Sequence, residues 1–89
     1  MARILITPEE MDQAADKFRN AAEEARNMSD SLNSTMDSMQ AQWEGMTSQG
    51  FYERYETDKQ NMTTYVEMLT AVAEELKTIA QRFREADQQ

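Results

Sequence analysis

The stretch QAQWEGMTSQGF, residues 40–51, decides the fold because it places both glycines of an 89-residue chain near its middle. On either side lie long segments of charged, helix-favouring residues, in which neither glycine nor proline occurs after Pro8. Glycine adopts the backbone conformations that tight turns require. The same stretch holds the only tryptophan, Trp43. We therefore predict that the chain turns back on itself here, with Trp43 either plugging the end of the structure or exposed for recognition.

The first half opens with a helix-start signal in ITPEEM, residues 6–11. Thr7 is suited to the N-cap, and Pro8 to the first helical position, where its missing N–H costs nothing. Glu10 completes a capping box three residues after Thr7. We predict a first helix over about residues 8–42, with an apolar stripe that recurs in steps of three and four. This stripe comprises Met11, Ala14, Phe18, Ala21, Ala25, Met28, Leu32, Thr35 and Met39.

The second half repeats the pattern, and we predict a second helix over about residues 48–85. Thr47 or Ser48 is suited to cap its start. Its stripe comprises Phe51, Tyr55, Asp58, Met62, Tyr65, Leu69, Val72, Leu76, Ile79 and Phe83. Asp58 is the only polar member. If Asp58 packs in the seam between the two helices, it would fix their register. If the seam drifts around the helix, Asp58 would remain in water.

Gly45 fits the left-handed position that closes a helix, so the chain is predicted to fold back there. Facing residues then have numbers that sum to ninety, and Phe18, for example, meets Val72. The predicted fold is all-α, an antiparallel helix-turn-helix hairpin. We expect a single domain over residues 1–89, with an N-terminal arm at 1–7, a Trp-Glu-Gly turn at 43–47 and a flexible tail at 86–89.

Further apolar residues flank both stripes, and we expect that one hairpin cannot cover them. These are Ala15, Ala22, Met36, Tyr52, Val66, Met68, Ala73 and Ala80. Pairing two hairpins into a four-helix bundle would bury them, and a short chain without cysteine needs such support. The alternative is a monomer with a few exposed apolar residues. The predicted core of the hairpin or its dimer comprises Phe18, Leu32, Phe51, Tyr55, Met62, Tyr65, Leu69, Val72, Leu76 and Ile79.

The composition argues against most chemistry. A net charge of −8 repels nucleic acid and anionic lipid surfaces. Histidine and cysteine are both absent, which removes the usual general base, the strongest nucleophile and the commonest metal ligand. We therefore expect no enzymatic activity, no cofactor and no metal. Ile4–Ile6 is the longest apolar run near the N-terminus, so we expect no cleaved signal peptide and no insertion into a membrane.

The central Trp43-Glu44-Gly45 between two uninterrupted heptad segments resembles the WXG-motif family of small type VII (Esx) secretion substrates, related to the early secreted antigenic target. The resemblance covers essentially the whole chain. It implies a helical hairpin that is made in the cytoplasm and secreted. It also implies recognition by a membrane-anchored ATPase of the FtsK/SpoIIIE type. The similarity is to Bacillus-type members, which form homodimers, although a heterodimer with a related chain is the other option.

The family also carries a C-terminal export signal, an aromatic residue followed four positions later by an acid. Phe83 and Asp87 in FREAD match that spacing, with phenylalanine in place of the usual tyrosine. The alternative to an export signal is that Phe83 is the last apolar residue of the seam and Asp87 is a solvated charge. Tyr52 and Glu56 also match the spacing, but their place after the turn favours a helix surface pair.

These observations lead to two functional hypotheses. In the first, the protein is a secreted type VII substrate with a virulence or effector-carrier role, recognised as a folded dimer through Trp43-Glu44-Gly45 and Phe83–Asp87. In the second, it is a cytoplasmic coiled-coil adaptor or chaperone-like dimer without an export role. The two hypotheses differ in whether the protein reaches the culture medium.

Overall fold

The computed structural model describes residues 6–43 and 45–87, which form two antiparallel helices. Helix α1 runs over Pro8–Gln42 and helix α2 over Met46–Asp87. Together they make a rod with extents of 67 × 22 × 16 Å. The predicted all-α helical hairpin is confirmed. Over the described residues, neither helix has a segment long and apolar enough to cross a membrane.

Helix α1 starts where the sequence predicts, because Thr7 satisfies two of the amide groups that a helix start leaves without partners. The Glu10 amide donates to Thr7 Oγ1 at 3.1 Å, and the Met11 amide donates to the Thr7 carbonyl at 3.0 Å. Thr7 itself is extended, and Pro8 takes the first helical position. Both predicted ends of this helix, residues 8 and 42, are confirmed.

Helix α2 starts earlier than predicted, which shortens the turn from 43–47 to 43–45. Gly45 precedes the helix, and its carbonyl accepts from Ser48 Oγ at 2.6 Å and from the Gln49 amide at 3.3 Å. Ser48 therefore lies inside the first turn of α2, and the prediction that it caps the helix is wrong. The alternative cap, Thr47, has a side chain outside the described part of the structure.

The C-terminal end of α2 extends to Asp87, two residues beyond the predicted end at 85. Of the predicted N-terminal arm, only residues 6 and 7 are described, and neither is helical. Residues 1–5 of the arm and residues 88–89 of the tail lie outside the described residues.

The register of the hairpin is close to the predicted one. Tyr52 Oη donates to the Met36 carbonyl at 3.1 Å, and Tyr55 Oη donates to Asn33 Oδ1. Both pairs have numbers that sum to 88, two less than predicted. Near the turn, hydrogen bonds between the two helices therefore accompany a register that differs slightly from the one predicted by facing the apolar stripes alone.

Within the single chain, the burial of the two neighbouring apolar stripes differs in part from the prediction. Phe18, Leu32 and Tyr65, expected in the core of the hairpin or its dimer, are 36%, 44% and 55% exposed in the single chain. Five residues that were expected to need a second hairpin are instead buried within this one: Ala15, Ala22, Val66, Ala73 and Ala80. Of the other three, Met36 and Tyr52 are half-buried and Met68 is exposed. Alanine allows the helix axes to approach closely, so the hairpin closes largely on small residues and leaves several large ones, such as Phe18 and Leu32, exposed.

The remaining core positions are partly covered. Leu69 is buried, and these residues are half-buried: Phe51, Tyr55, Met62, Val72, Leu76 and Ile79. Ala22, Val66 and Leu69 form the central apolar cluster, against which Ala21 and Ala25 pack. Asp58 is exposed, as the drifting-seam alternative proposed. Among described side chains of the half nearer the turn, only that of Ser48 is buried, so the apolar core lies towards the open end.

Candidate functional site

Trp43 ends α1 and is held at the turn by aromatic neighbours from α2. Its backbone is extended, with φ −114° and ψ 109°, so the chain leaves the helix at this residue. Its ring lies 5.6 Å from the Phe51 ring and 6.0 Å from the Tyr52 ring, measured between centroids, and both pairs are tilted. The side chain is half-buried. Part of the indole therefore packs against α2, while the rest is accessible to solvent.

The rings of Trp43, Phe51, Tyr52 and Tyr55 form what we call the turn cluster. Phe51 meets Tyr52 edge-on at 5.3 Å and stacks on Tyr55 at 6.4 Å. Both tyrosine hydroxyls donate across to α1, which fixes the orientation of their rings. The cluster joins the helices where buried aliphatic residues are lacking. This support for Trp43 goes beyond the sequence-based prediction, although the three aromatic residues within positions 51–55, just after the turn, are a signal for it.

Gly45 has a positive φ of 126°, as its expected left-handed role requires. Its place differs from the prediction, because Trp43 caps α1 and Gly45 precedes α2. A Cβ added at Gly45 would meet nothing within 4 Å, so backbone conformation rather than space demands glycine here. Glu44, the middle residue of the predicted motif, lies outside the described residues.

An open groove of about 540 Å³ lies beside the turn cluster. Its walls include Met36, Trp43 and Tyr52, with the carboxylates of Asp37, Glu53 and Glu56 around them. Lys59 also lines the groove, so its charged side chains are three carboxylates and one ammonium group, and the net negative charge disfavours anions. Among the described residues, no cluster of three or more acidic side chains is arranged to hold a metal ion.

The open end of the hairpin carries a group of ion pairs between α1 and α2. Arg84 Nη2 lies 2.6 Å from Asp12 Oδ2, and Lys77 Nζ lies 3.1 Å from Asp16 Oδ1 and 3.8 Å from Asp12 Oδ1. Glu9 Oε1 lies 3.9 Å from Arg84 Nη2. The hydrogen bond from Arg84 holds the pKa of the Asp12 carboxyl below its ordinary value. These pairs are absent from the sequence-based prediction. They form because basic residues on α2 face acidic ones on α1 in the observed register.

These ion pairs hold the C-terminal end of α2, which contains the predicted export signal, against α1. Phe83 is half-buried and precedes Arg84 directly in the chain. The side chain of Asp87, the acidic member of the signal, lies outside the described part. The competing pair is less free to act as a signal, because Tyr52 is bonded to α1 and Glu56 lies 3.9 Å from Lys59.

Within one chain, Trp43 and Phe83 lie at opposite ends of the hairpin. Helix α1 has 35 residues, so it separates the turn from the open end by about 52 Å at 1.5 Å per residue. The structure therefore does not bring the two predicted recognition motifs together in a single molecule.

A family model described as "Proteins of 100 residues with WXG", WXG100, matches residues 3–88. The chain belongs to the WXG100 family. No curated protein matches the sequence. Trp43 and Gly45, whose geometry defines the turn, are thus the signature positions of a WXG100 protein.

Solved structures agree with this assignment. A crystal structure of the secreted protein EsxB from Bacillus anthracis str. Sterne superposes with a TM-score of 0.84 at 39% sequence identity, covering 98% of this WXG100 chain and 99% of that one. The same protein in another crystal form gives a TM-score of 0.86, with 96% and 99% coverage. EsxA from Geobacillus thermodenitrificans shares the fold, with a TM-score of 0.84 at 23% identity and coverage of 99% and 95%.

Proposed function

We propose that this protein is a non-enzymatic substrate of a type VII (Esx) secretion system, exported as a folded homodimer. Membership of the WXG100 family supports the proposal, together with 39% identity over nearly the full length to a protein described as secreted. The hairpin provides two accessible recognition elements, the Trp43–Gly45 turn and the C-terminal end of α2 around Phe83.

The exposed surface supports the dimer. The single chain has an accessible surface of 7147 Å², whereas a compact monomer of 10.3 kDa would have about 5,400 Å². The excess of about 1,800 Å² exceeds the roughly 800 Å² that each partner buries in a standard interface. A second copy thus has enough surface to cover.

Large apolar side chains on both helices contribute to that excess. Phe18, Leu32 and Met39 are exposed along α1, and Tyr65 is exposed on α2. We call this set of large exposed side chains, with Met28, the uncovered stripe. Two copies that face each other through this stripe form a four-helix bundle, and two-fold symmetry closes the assembly.

An antiparallel arrangement of the copies explains how two distant motifs act together. The turn of one protomer then lies beside the C-terminal end of its partner. Each end of the dimer presents one composite patch, with Trp43-Glu44-Gly45 from one chain and Phe83–Asp87 from the other. A membrane-anchored ATPase of the FtsK/SpoIIIE type reads this patch, so that pairs rather than single chains are exported.

The export step is tested in cells that carry the secretion system, by immunoblot of medium and cell fractions. We expect Trp43→Ala and Phe83→Ala to remain in the cells. Tyr52→Phe changes the turn cluster outside both motifs and is expected to be exported. Unchanged export of the double variant would contradict the proposal. Retention of a dimeric wild-type protein would instead favour the cytoplasmic adaptor.

The composite patch has a sharper test by co-expression. A dimer of one Trp43→Ala chain and one Phe83→Ala chain keeps one intact patch, because the normal turn of one chain faces the normal tail of the other. We therefore expect the mixed pair to be exported although each variant alone is retained. Recognition of both motifs within a single chain predicts no rescue, and that result would exclude the composite patch.

A further inference from the structure

The methionines of this chain differ strongly in exposure. Met11 packs in the hairpin and is 7% exposed, whereas Met28 is 65% and Met39 40% exposed. The sequence has no cysteine, so thioethers are its only sulfur groups. A thioether is oxidised by peroxides to a sulfoxide, which is polar and disrupts methionine-rich interfaces.

Met28 and Met39 lie on the surface that the proposed dimer uses. They are eleven positions apart on α1, close to three full turns, and Leu32 lies between them on the same side. Phe18 and Leu32 offer no hydrogen-bond donor to a polar group placed beside them. Away from the Tyr65 hydroxyl, the one donor among the large side chains of the uncovered stripe, a sulfoxide at this surface would lose its hydration on association without gaining a partner.

We propose that Met28 and Met39 are sites of reversible peroxide oxidation that controls self-association; this inference depends on the homodimer of the proposed function. A sulfur lone pair attacks one oxygen of hydrogen peroxide. An S–O bond forms, the O–O bond breaks, and the remaining oxygen leaves as water after proton transfer. Sulfur is oxidised by two electrons and the peroxide is reduced. Methionine sulfoxide reductases reverse the change with two electrons from a thiol reductant, which ends as a disulfide, and the sulfoxide oxygen leaves as water.

Assembly and oxidation then oppose each other. In the dimer the facing chain covers both sulfurs and slows their oxidation, whereas in the separated chain both are open to peroxide. Oxidised chains associate weakly and so remain separated. Met11 provides an internal reference, because the hairpin itself covers it at every protein concentration.

The test uses the purified full chain with hydrogen peroxide at protein concentrations below and above the dimer dissociation constant. Peptide mass spectrometry measures sulfoxide at each methionine, and analytical ultracentrifugation measures association. We expect Met28 and Met39 to oxidise faster in the dilute sample and Met11 to be slow in both. Their oxidation should weaken association about tenfold or more, equivalent to about 1.4 kcal/mol.

The matched variant replaces both methionines with leucine, which has a similar volume but no sulfur, as Met28→Leu with Met39→Leu. It should dimerise normally and keep its association after peroxide treatment. Met68 is still present in this variant. If peroxide still weakened its association, the loss would come from another methionine and the proposal would be wrong. Oxidised wild-type chains that associate as tightly as untreated ones would also overturn the proposal. An untreated chain that never associates would refute the proposed dimer as well, which distinguishes the two failures.

Discussion

At the scale of single residues, Gly45 and Gly50 are five positions apart but differ in what the backbone requires. Gly45 has a φ of 126°, a conformation that residues with a Cβ rarely adopt. Gly50 lies inside α2, where a Cβ would meet Arg54 Nη1 at an ordinary contact distance of 3.7 Å. The first glycine is demanded by the turn, whereas the second weakens its helix.

We therefore expect opposite effects from the same substitution. Gly45→Ala should destabilise the protein by about 1–2 kcal/mol, because it forces alanine into a strained conformation. Gly50→Ala should stabilise it by about 0.5–1 kcal/mol, because alanine loses less conformational freedom in a helix. Urea unfolding followed by circular dichroism measures both, and equal effects of the two changes would contradict this account.

Asp12 makes the stability depend on pH at the open end. Arg84, Lys77, Glu9 and Asp16 are the charged groups around it. Its pKa in the folded protein is lowered from the ordinary value of 3.8, chiefly by the hydrogen bond from Arg84. Ionised Asp12 therefore contributes stability that is fully present well above pH 3.8 and is lost as the pH falls through the lower, folded-state pKa.

Comparison with Asp12→Asn isolates this contribution from the other carboxylates. Wild type should have the higher melting temperature at pH 7, and the difference should shrink as the pH falls below 3.8. Thermal unfolding by circular dichroism across this range measures the difference. A gap that is constant with pH would show that the Asp12 ion pairs do not contribute.

At the scale of the helices, two adjacent apolar stripes satisfy the same heptad pattern. The sequence predicts that the chain is helical, where the first helix begins and ends, and approximately which residues of the two helices face each other. It can do so because caps, breakers and periodicity are local properties. It does not predict which stripe closes the hairpin. That choice depends on how closely the axes approach at alanines such as Ala15 and Ala73, a property of both helices together.

The helices are also joined by tyrosine hydroxyls near the turn. Tyr55→Phe removes the bond to Asn33 and should destabilise the protein by about 1 kcal/mol. Tyr55→Phe in an Asn33→Ala background is the matched control, because the acceptor is then already absent and the same change should cost little stability. Denaturant unfolding of both variants decides the point. Equal effects would mean that the cross-helix bond does not stabilise the hairpin.

At the scale of the whole molecule, the hairpin leaves several large apolar side chains exposed, and a second copy covers them in the proposed dimer. Leu32→Glu places a charge in the uncovered stripe, so the proposed dimer would bury an unpaired carboxylate. We expect the variant to be a monomer that remains helical, with its mass measured by analytical ultracentrifugation. Asn20→Glu, at another exposed position of α1, should leave the mass of the wild-type assembly unchanged. A Leu32→Glu protein that stays dimeric would place the interface elsewhere.

The sequence by itself determined two long helices, the start of α1 at Pro8 and a turn that begins at Trp43, because neighbouring residues along the chain set these features. Only the tertiary structure decided that α2 begins at Met46, that the turn cluster supports Trp43, and that Arg84 is fastened to Asp12. It also decided that Phe18 and Leu32 lie outside the hairpin. These outcomes depend on the distance and rotation between two helices, which residues far apart in sequence set jointly through the fit of their side chains.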